Sequence, residues 1–153
     1  MANRAAPSRV SDYKAWRTIT TRWMDNDAYG HMNNVVHYSL FDSAVNGWLV
    51  EQGMLDITAG GQIGLVVETG CRYFSELAFP DVVRAGLRVD RIGTSSVRYE
   101  IALSRNDSEI AAAEGHFVHV YVDRLTRRPK PIPEQFREVL AGILVSAKSD
   151  DLE

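Results

Sequence analysis

From Gln62 to Leu125 the chain alternates apolar and polar residues with period two, and it is interrupted by turns too short to hold a helix. In the first run Ile63, Leu65, Val67, Thr69, Cys71 and Tyr73 fall on one side, with Val66, Glu68, Arg72 and Phe74 on the other. Pro80-Asp81 ends that run, and residues 82–92 resume with Val83, Ala85, Leu87 and Val89 opposite Arg84, Arg88 and Asp90. Gly93-Thr94 leads into residues 95–104, Asn106-Asp107 makes a hairpin-like turn, and residues 110–125 form the longest run. Parallel neighbours need a crossover of about a dozen residues or more, so these four strands are expected to pair as an antiparallel meander. Weak alternation over residues 13–23 adds a strand ahead of them, giving an α+β fold with five or six strands.

Such a sheet has an apolar face to bury, and the sequence offers one long element to bury it. Val36, Leu40, Phe41, Ala44, Val45, Trp48 and Leu49 recur at helical spacing, while Asp42, Ser43, Asn46 and Glu51 take the other side. The spacing predicts a helix over residues 33–52, stopped by Gly53 and laid across the concave side of the sheet. A shorter helix is expected over residues 134–144, entered after Pro133. Residues 1–8 and 146–153 read as loose ends of a single domain, 1–153, with its core at about 13–144.

At 153 residues the chain can bury roughly 70% of its unfolded surface. A net charge of −3 gives no basic field for nucleic acid. The single cysteine, Cys71, excludes an intrachain disulfide framework and fits a reducing compartment. The N-terminus lacks an apolar leader core, and no stretch approaches the about 18 apolar residues of a membrane span, so the expectation is a soluble, cytoplasmic protein.

Chemistry concentrates just ahead of the long helix, in Arg22-Trp23-Met24-Asp25-Asn26-Asp27-Ala28-Tyr29-Gly30-His31-Met32-Asn33-Asn34. A helix starting at Asn33 or Asn34 leaves its first N–H groups without intrahelical partners and presents the positive end of its dipole, which suits a developing oxyanion. Asp25 is read as a brace for the bend, and Cys71 as a small strand residue. A calcium loop fails because its twelfth position is Val36, where a bidentate Glu is needed. His116 and His119 lie three apart on a strand and so point to opposite faces; no metal site is expected. Glu68 and Asp42 are secondary candidate acids, and phosphate-binding glycine loops and the G-x-S-x-G elbow are absent.

The stretch Asp25-Asn26-Asp27-Ala28-Tyr29-Gly30-His31-Met32-Asn33-Asn34, followed by Tyr38 and Phe41-Asp42, resembles the D-x-D-x-x-G-H-x-N-N signature of the hotdog-fold acyl-CoA thioesterases of the 4-hydroxybenzoyl-CoA thioesterase type. Arg72-Tyr73-Phe74 and Gly93-Thr94-Ser95-Ser96 are similar to weaker signatures of the same family, and the order of elements agrees from about 13 to 144. The resemblance implies a sheet wrapped around one central helix. It implies hydrolysis of acyl-CoA thioesters with Asp27 as nucleophile or general base, the Asn34 backbone N–H as oxyanion donor, and His31 polarising, positioning or shuttling protons. Asn33, Tyr38, Arg72 and Tyr73 are the implied substrate contacts. No cofactor is implied beyond the coenzyme A of the substrate, and open sheet edges suggest a homodimer or homotetramer with the site between subunits.

Two departures stand out. The Arg and Lys cluster that some members use on the coenzyme's phosphates is Gly93, Thr94 and Ser95 here, which leaves Arg72, Arg98 or residues 127–130 as candidates. The tyrosine common three residues beyond the second Asn is His37. The alternatives are a hydratase or dehydratase acting on acyl thioesters, which would release no thiol, and a non-catalytic acyl-CoA-binding module, which would be indifferent to Asp27→Asn.

Overall fold

The chain runs through β1 (Ala15–Thr20), α1 (Asn34–Glu51), β2 (Gln62–Tyr73), β3 (Val82–Ile92), β4 (Ser96–Arg105), β5 (Ala111–Asp123) and α2 (Glu134–Ala141). The structure is a computed structural model that describes residues 6–56 and 60–145. The loose ends expected at 1–5 and 146–153, and the middle of the connector before β2 at 57–59, lie outside the described residues. Ser8, assigned to the first loose end, is instead tied down, since its carbonyl accepts from Ala111 N–H at 2.9 Å.

The five strands make one antiparallel sheet in the order β1-β3-β4-β5-β2. The expected four-stranded meander is therefore corrected: only β3, β4 and β5 follow one another, and β2 pairs with β5 on the outside. Residues 74–81 explain the difference, because they carry the chain from the β2 edge past β5 and β4 to β3 instead of turning it back. Phe74 N–H bonds Ala112 O at 2.8 Å, Met32 N–H bonds Leu77 O at 2.7 Å, and Leu77 is buried. That segment is a strap packed into the core. β1 is shorter than expected, and Trp23 belongs to a 3₁₀ turn over Trp23–Asp25.

A second correction concerns the faces of β2. Val66 pairs with His119 and Glu68 with Val118, so Val67 is an extra residue in a β-bulge. One inserted residue exchanges the faces of everything on one side of it. Gly64 and Val66 thus share the helix-facing side with Thr69, Cys71 and Tyr73, while Ile63 and Leu65 join Glu68 and Arg72 outside.

Helix α1 buries His37, Leu40, Phe41, Ala44, Val45, Trp48 and Leu49. This is the expected stripe, except that His37 takes the buried place and Val36 is half-buried. Gly53, at φ +71°, ends the helix in the left-handed conformation. Phe41 lies on β5 where Gly115 offers no side chain: a Cβ there would sit 2.2 Å from the Phe41 ring. The helix can therefore rest directly on the strand.

His119 stands on the helix-facing side of β5 among Tyr99, Phe117 and Tyr121, with ring centroids 5.1, 5.8 and 6.1 Å away. It is 3% exposed, and among the described residues neither ring nitrogen has a hydrogen-bond partner. Burial pulls its pKa down to about 4 against the opposing pull of Asp42. Between that value and the ordinary 6.5, the unfolded chain holds a proton the folded chain lacks, so stability falls as pH drops through this window. Urea denaturation followed from pH 7 to 4 is expected to show a loss that includes roughly 3 kcal/mol from this group, and His119→Phe is expected to flatten that part of the slope.

Candidate active site

The loop before α1 is built around a buried acid. Asp25 is 2% exposed, and its carboxylate accepts from Arg22 N–H at 2.7 Å and from the Arg22 guanidinium at 2.9 and 3.1 Å. Its carbonyl accepts from Asn33 N–H at 2.9 Å, so one residue holds both ends of the loop. Asn26 Oδ1 accepts from Phe79 N–H at 2.9 Å and fixes the loop to the strap of residues 74–81. Within the loop, Asp27 N–H bonds His31 O at 2.7 Å and Gly30 N–H bonds Asp27 O at 3.1 Å. Gly30 turns the chain at φ +83°, a conformation that favours glycine.

That closure orients Asp27. Its Oδ1 accepts from Tyr29 N–H at 2.8 Å and, more weakly, from His31 N–H at 3.4 Å. No other bond to the carboxylate exists among the described residues, which leaves Oδ2 available. At the helix mouth Asn33 is the N-cap, its Oδ1 accepting from Val35 N–H at 3.0 Å, while Val36 N–H bonds Asn33 O at 2.9 Å. Asn34 N–H is the remaining donor of this group, and it has no acceptor among the described residues. An unsatisfied donor at the positive end of an 18-residue helix is a ready site for negative charge.

Beside this mouth lies a cavity of about 310 Å³ whose walls include His31, His37, Tyr73 and Glu76 over Met32 and Leu77. His31 Nε2 is 3.2 Å from Glu76 Oε1. His37 is buried, its Nδ1 3.4 Å from Asn33 O, and its ring meets Tyr73 edge to face at 4.8 Å. Burial lowers the His37 pKa below the ordinary histidine value, against its bonds to the backbone of Asn33 and Asn34. Burial, with help from Cys71 and Tyr38, pushes the Tyr73 hydroxyl up, so it stays protonated.

The structure thus gathers His31 and Tyr73 on one cavity wall, with Asn33 capping the helix beside them. Asp27 and Asn34 belong to the same loop and mouth but are not on that wall. Tyr38 is half-buried against Phe41 at 5.8 Å. Arg72 is not brought in: strand alternation sets it on the opposite face from Tyr73, with its guanidinium 4.0 Å from Glu114. Arg98 is likewise taken up by Glu68 and Asp90, at 3.4 and 3.3 Å. The ion pairs among the described residues leave out Arg127, Arg128 and Lys130. No cluster of three or more His, Cys, Asp or Glu placed to hold a metal occurs among the described residues, and no described helix is long and apolar enough to cross a membrane.

Sequence reasoning marks His37 as a departure from a pattern and, with His31 beside Asp-x-Asp, as a metal candidate set aside, and it does not reach Glu76. A histidine on the buried stripe of α1 is the available signal for the first. Glu76 lies in a strap with no periodicity and has none. Because Asn33 caps the helix through its side chain, Asn33→Ala is expected to cost about 1 kcal/mol in urea denaturation, and Asn33→Asp to retain most of it.

Comparison with known proteins bears on what this geometry serves. A family model described as the thioesterase-like superfamily matches residues 21–140. The structure of the PA5185 protein of Pseudomonas aeruginosa strain PAO1 is 48% identical with a TM-score of 0.89, over 93% of this chain and 99% of that one. A thioesterase from Thermus thermophilus, complexed with coenzyme A and zinc, is 27% identical with a TM-score of 0.72, over 86% of this chain and 95% of that one. A 1,4-dihydroxy-2-naphthoyl-CoA thioesterase from Synechocystis shares the fold at 16% identity and a TM-score of 0.75, over 82% of this chain and 94% of that one. Curated proteins yielded no match.

Proposed function

The chain belongs to the thioesterase-like superfamily and has its α+β hotdog architecture, and from that premise we propose that it hydrolyses acyl-coenzyme A thioesters to the free acid and coenzyme A. The observation that carries the reading is the helix mouth, where one N–H is left unengaged on the same loop as a carboxylate with one free oxygen. Asn34 N–H stabilises the charge that builds on the thioester oxygen, and Asp27 attacks the carbonyl carbon or activates the attacking water. An oxyanion donor of this kind is worth about 3 to 4 kcal/mol of barrier in known enzymes. His31, next to Glu76, assists from the cavity wall, and Asn33 and Tyr38 hold the substrate's approach.

A second copy completes the site in this reading. β2 presents an unpaired edge of 12 residues on which Leu65, Val66 and Val67 are 38, 48 and 60% exposed, an invitation to pairing. Antiparallel pairing of two such edges about a two-fold axis sets the start of one β2 beside Tyr73 at the end of the other. The basic turn at 124–130 travels with that start, since Arg124 N–H bonds Gly61 O at 3.1 Å. Arg127, Arg128 and Lys130 then meet the coenzyme's phosphates across the interface. The coenzyme A bound to the Thermus thermophilus thioesterase supports a ligand of this class.

A panel of acyl-CoAs followed with a thiol reagent tests the activity. Asp27→Asn is expected to lower kcat by at least about 100-fold with an unchanged melting curve. Absence of thiol release from every member with the unaltered protein defeats the hydrolase reading. Light scattering is expected to give a dimer or tetramer that Leu65→Lys with Val67→Lys reduces to an inactive monomer. A monomeric, fully active parent would defeat the shared site.

A further inference from the structure

We infer that His37 is a catalytic residue: it takes the proton of the water that releases the acyl group from Asp27 and passes it to the departed coenzyme thiolate. The inference rests on the hydrolase reading above and assigns Asp27 the nucleophile's part of it.

His37 is the fourth residue of α1, three beyond Asn34, so its ring and the free Asn34 N–H emerge on neighbouring positions of the same helix end. Nothing in the packing of the stripe asks for a histidine there: the buried positions that follow are Leu40, Phe41, Ala44, Val45, Trp48 and Leu49. The ring is nonetheless 4% exposed and held in one orientation by Tyr73, edge to face at 4.8 Å. Its Nδ1 faces the carbonyl of Asn33 at 3.4 Å, and a carbonyl can only accept, so Nδ1 carries the hydrogen. In the neutral ring the lone pair is then on Nε2. Nε2 has no hydrogen-bond partner among the described residues, and His37 lines the cavity. Burial, by disfavouring the charged ring, keeps it neutral and ready to accept near neutral pH.

The other histidine on the wall is less suited to this work. His31 is exposed, and its Nε2 is 3.2 Å from Glu76. Asp27, for its part, has Oδ1 fixed by the backbone and Oδ2 free, a posture for attack more than for collecting a proton. The steps balance on these groups alone. Oδ2 of Asp27 bonds to the acyl carbon, the C–S bond breaks, and coenzyme A leaves as its thiolate. Water then adds to the acyl carbon of the mixed anhydride and loses a proton to Nε2, while the C–O bond to Asp27 breaks and restores the carboxylate. The imidazolium returns its proton to the thiolate, leaving acid and thiol.

A base that serves only the second step leaves a kinetic signature that a packing residue does not. Rapid mixing of acyl-CoA with His37→Gln and, to keep an aromatic ring against Tyr73, with His37→Tyr is followed with a thiol reagent. Both variants are expected to release a burst of one thiol per active site at close to the parent's rate, then to turn over about 100-fold more slowly than the parent. Turnover within threefold of the parent, or equal slowing of burst and steady state, would overturn the role of His37 while leaving the hydrolase intact. No thiol release by the parent would remove the hydrolase reading itself.

Discussion

The structure depends on one close approach, that of Phe41 to the bare backbone of Gly115. With no side chain at that point of β5, α1 lies directly on the strand, and its buried stripe reaches β3, β4 and β5 together. The height of the helix above the sheet decides where its first turn emerges. Met32, just ahead of the helix, bonds Leu77, and His37 on its first turn meets Tyr73, so the capping loop, the strap at 74–81 and the end of β2 line one cavity. A bulkier residue at 115 would collide with the Phe41 ring and push the helix off the strand.

Much of this is legible in the sequence because it depends on spacing. The helix expected over 33–52 is Asn34–Glu51 with Asn33 and Gln52 as its caps, and β3 occupies the expected 82–92. What escapes depends on single residues that carry no period. Val67 is apolar and fits an unbroken alternation, yet it is the bulged residue, so alternation alone puts Ile63 and Leu65 on the wrong face. The strap at 74–81 reads as an interruption because its apolar residues, Phe74, Leu77, Ala78 and Phe79, keep neither a strand nor a helix period, and Leu77 alone among them is fully buried. Hence spacing makes β2 a neighbour of β3, when it crosses to pair with β5. Arg72 and Tyr73, read together in the sequence as substrate contacts, lie on opposite faces of β2, because successive residues of a strand face apart.

The same crossing decides which strand contributes Tyr73 to the cavity wall. Sending β2 to the far side of β5 makes it the edge next to the cavity, and its helix-facing side there carries Gly64, Val66, Thr69, Cys71 and Tyr73. α1 lies against β1, β3, β4 and β5, and it meets β2 through the ring of His37 against Tyr73. Topology and chemistry are coupled here through a single strand's address.

Helix capping is usually read as a gain in stability, but at this mouth it also sorts donors. The Asn33 side chain satisfies Val35 and its carbonyl takes Val36, and the same carbonyl lies toward His37 Nδ1. One residue therefore satisfies two backbone donors and holds one imidazole nitrogen, and among the described residues Asn34 N–H is left without an acceptor. A cap such as Ser or Asp would satisfy the helix about as well. Its carbonyl would serve the same ends, so the backbone geometry of residue 33 matters to this arrangement more than its identity. The identity of residue 37 is demanded by no capping rule, and a buried imidazole there stands where the rest of the stripe is apolar.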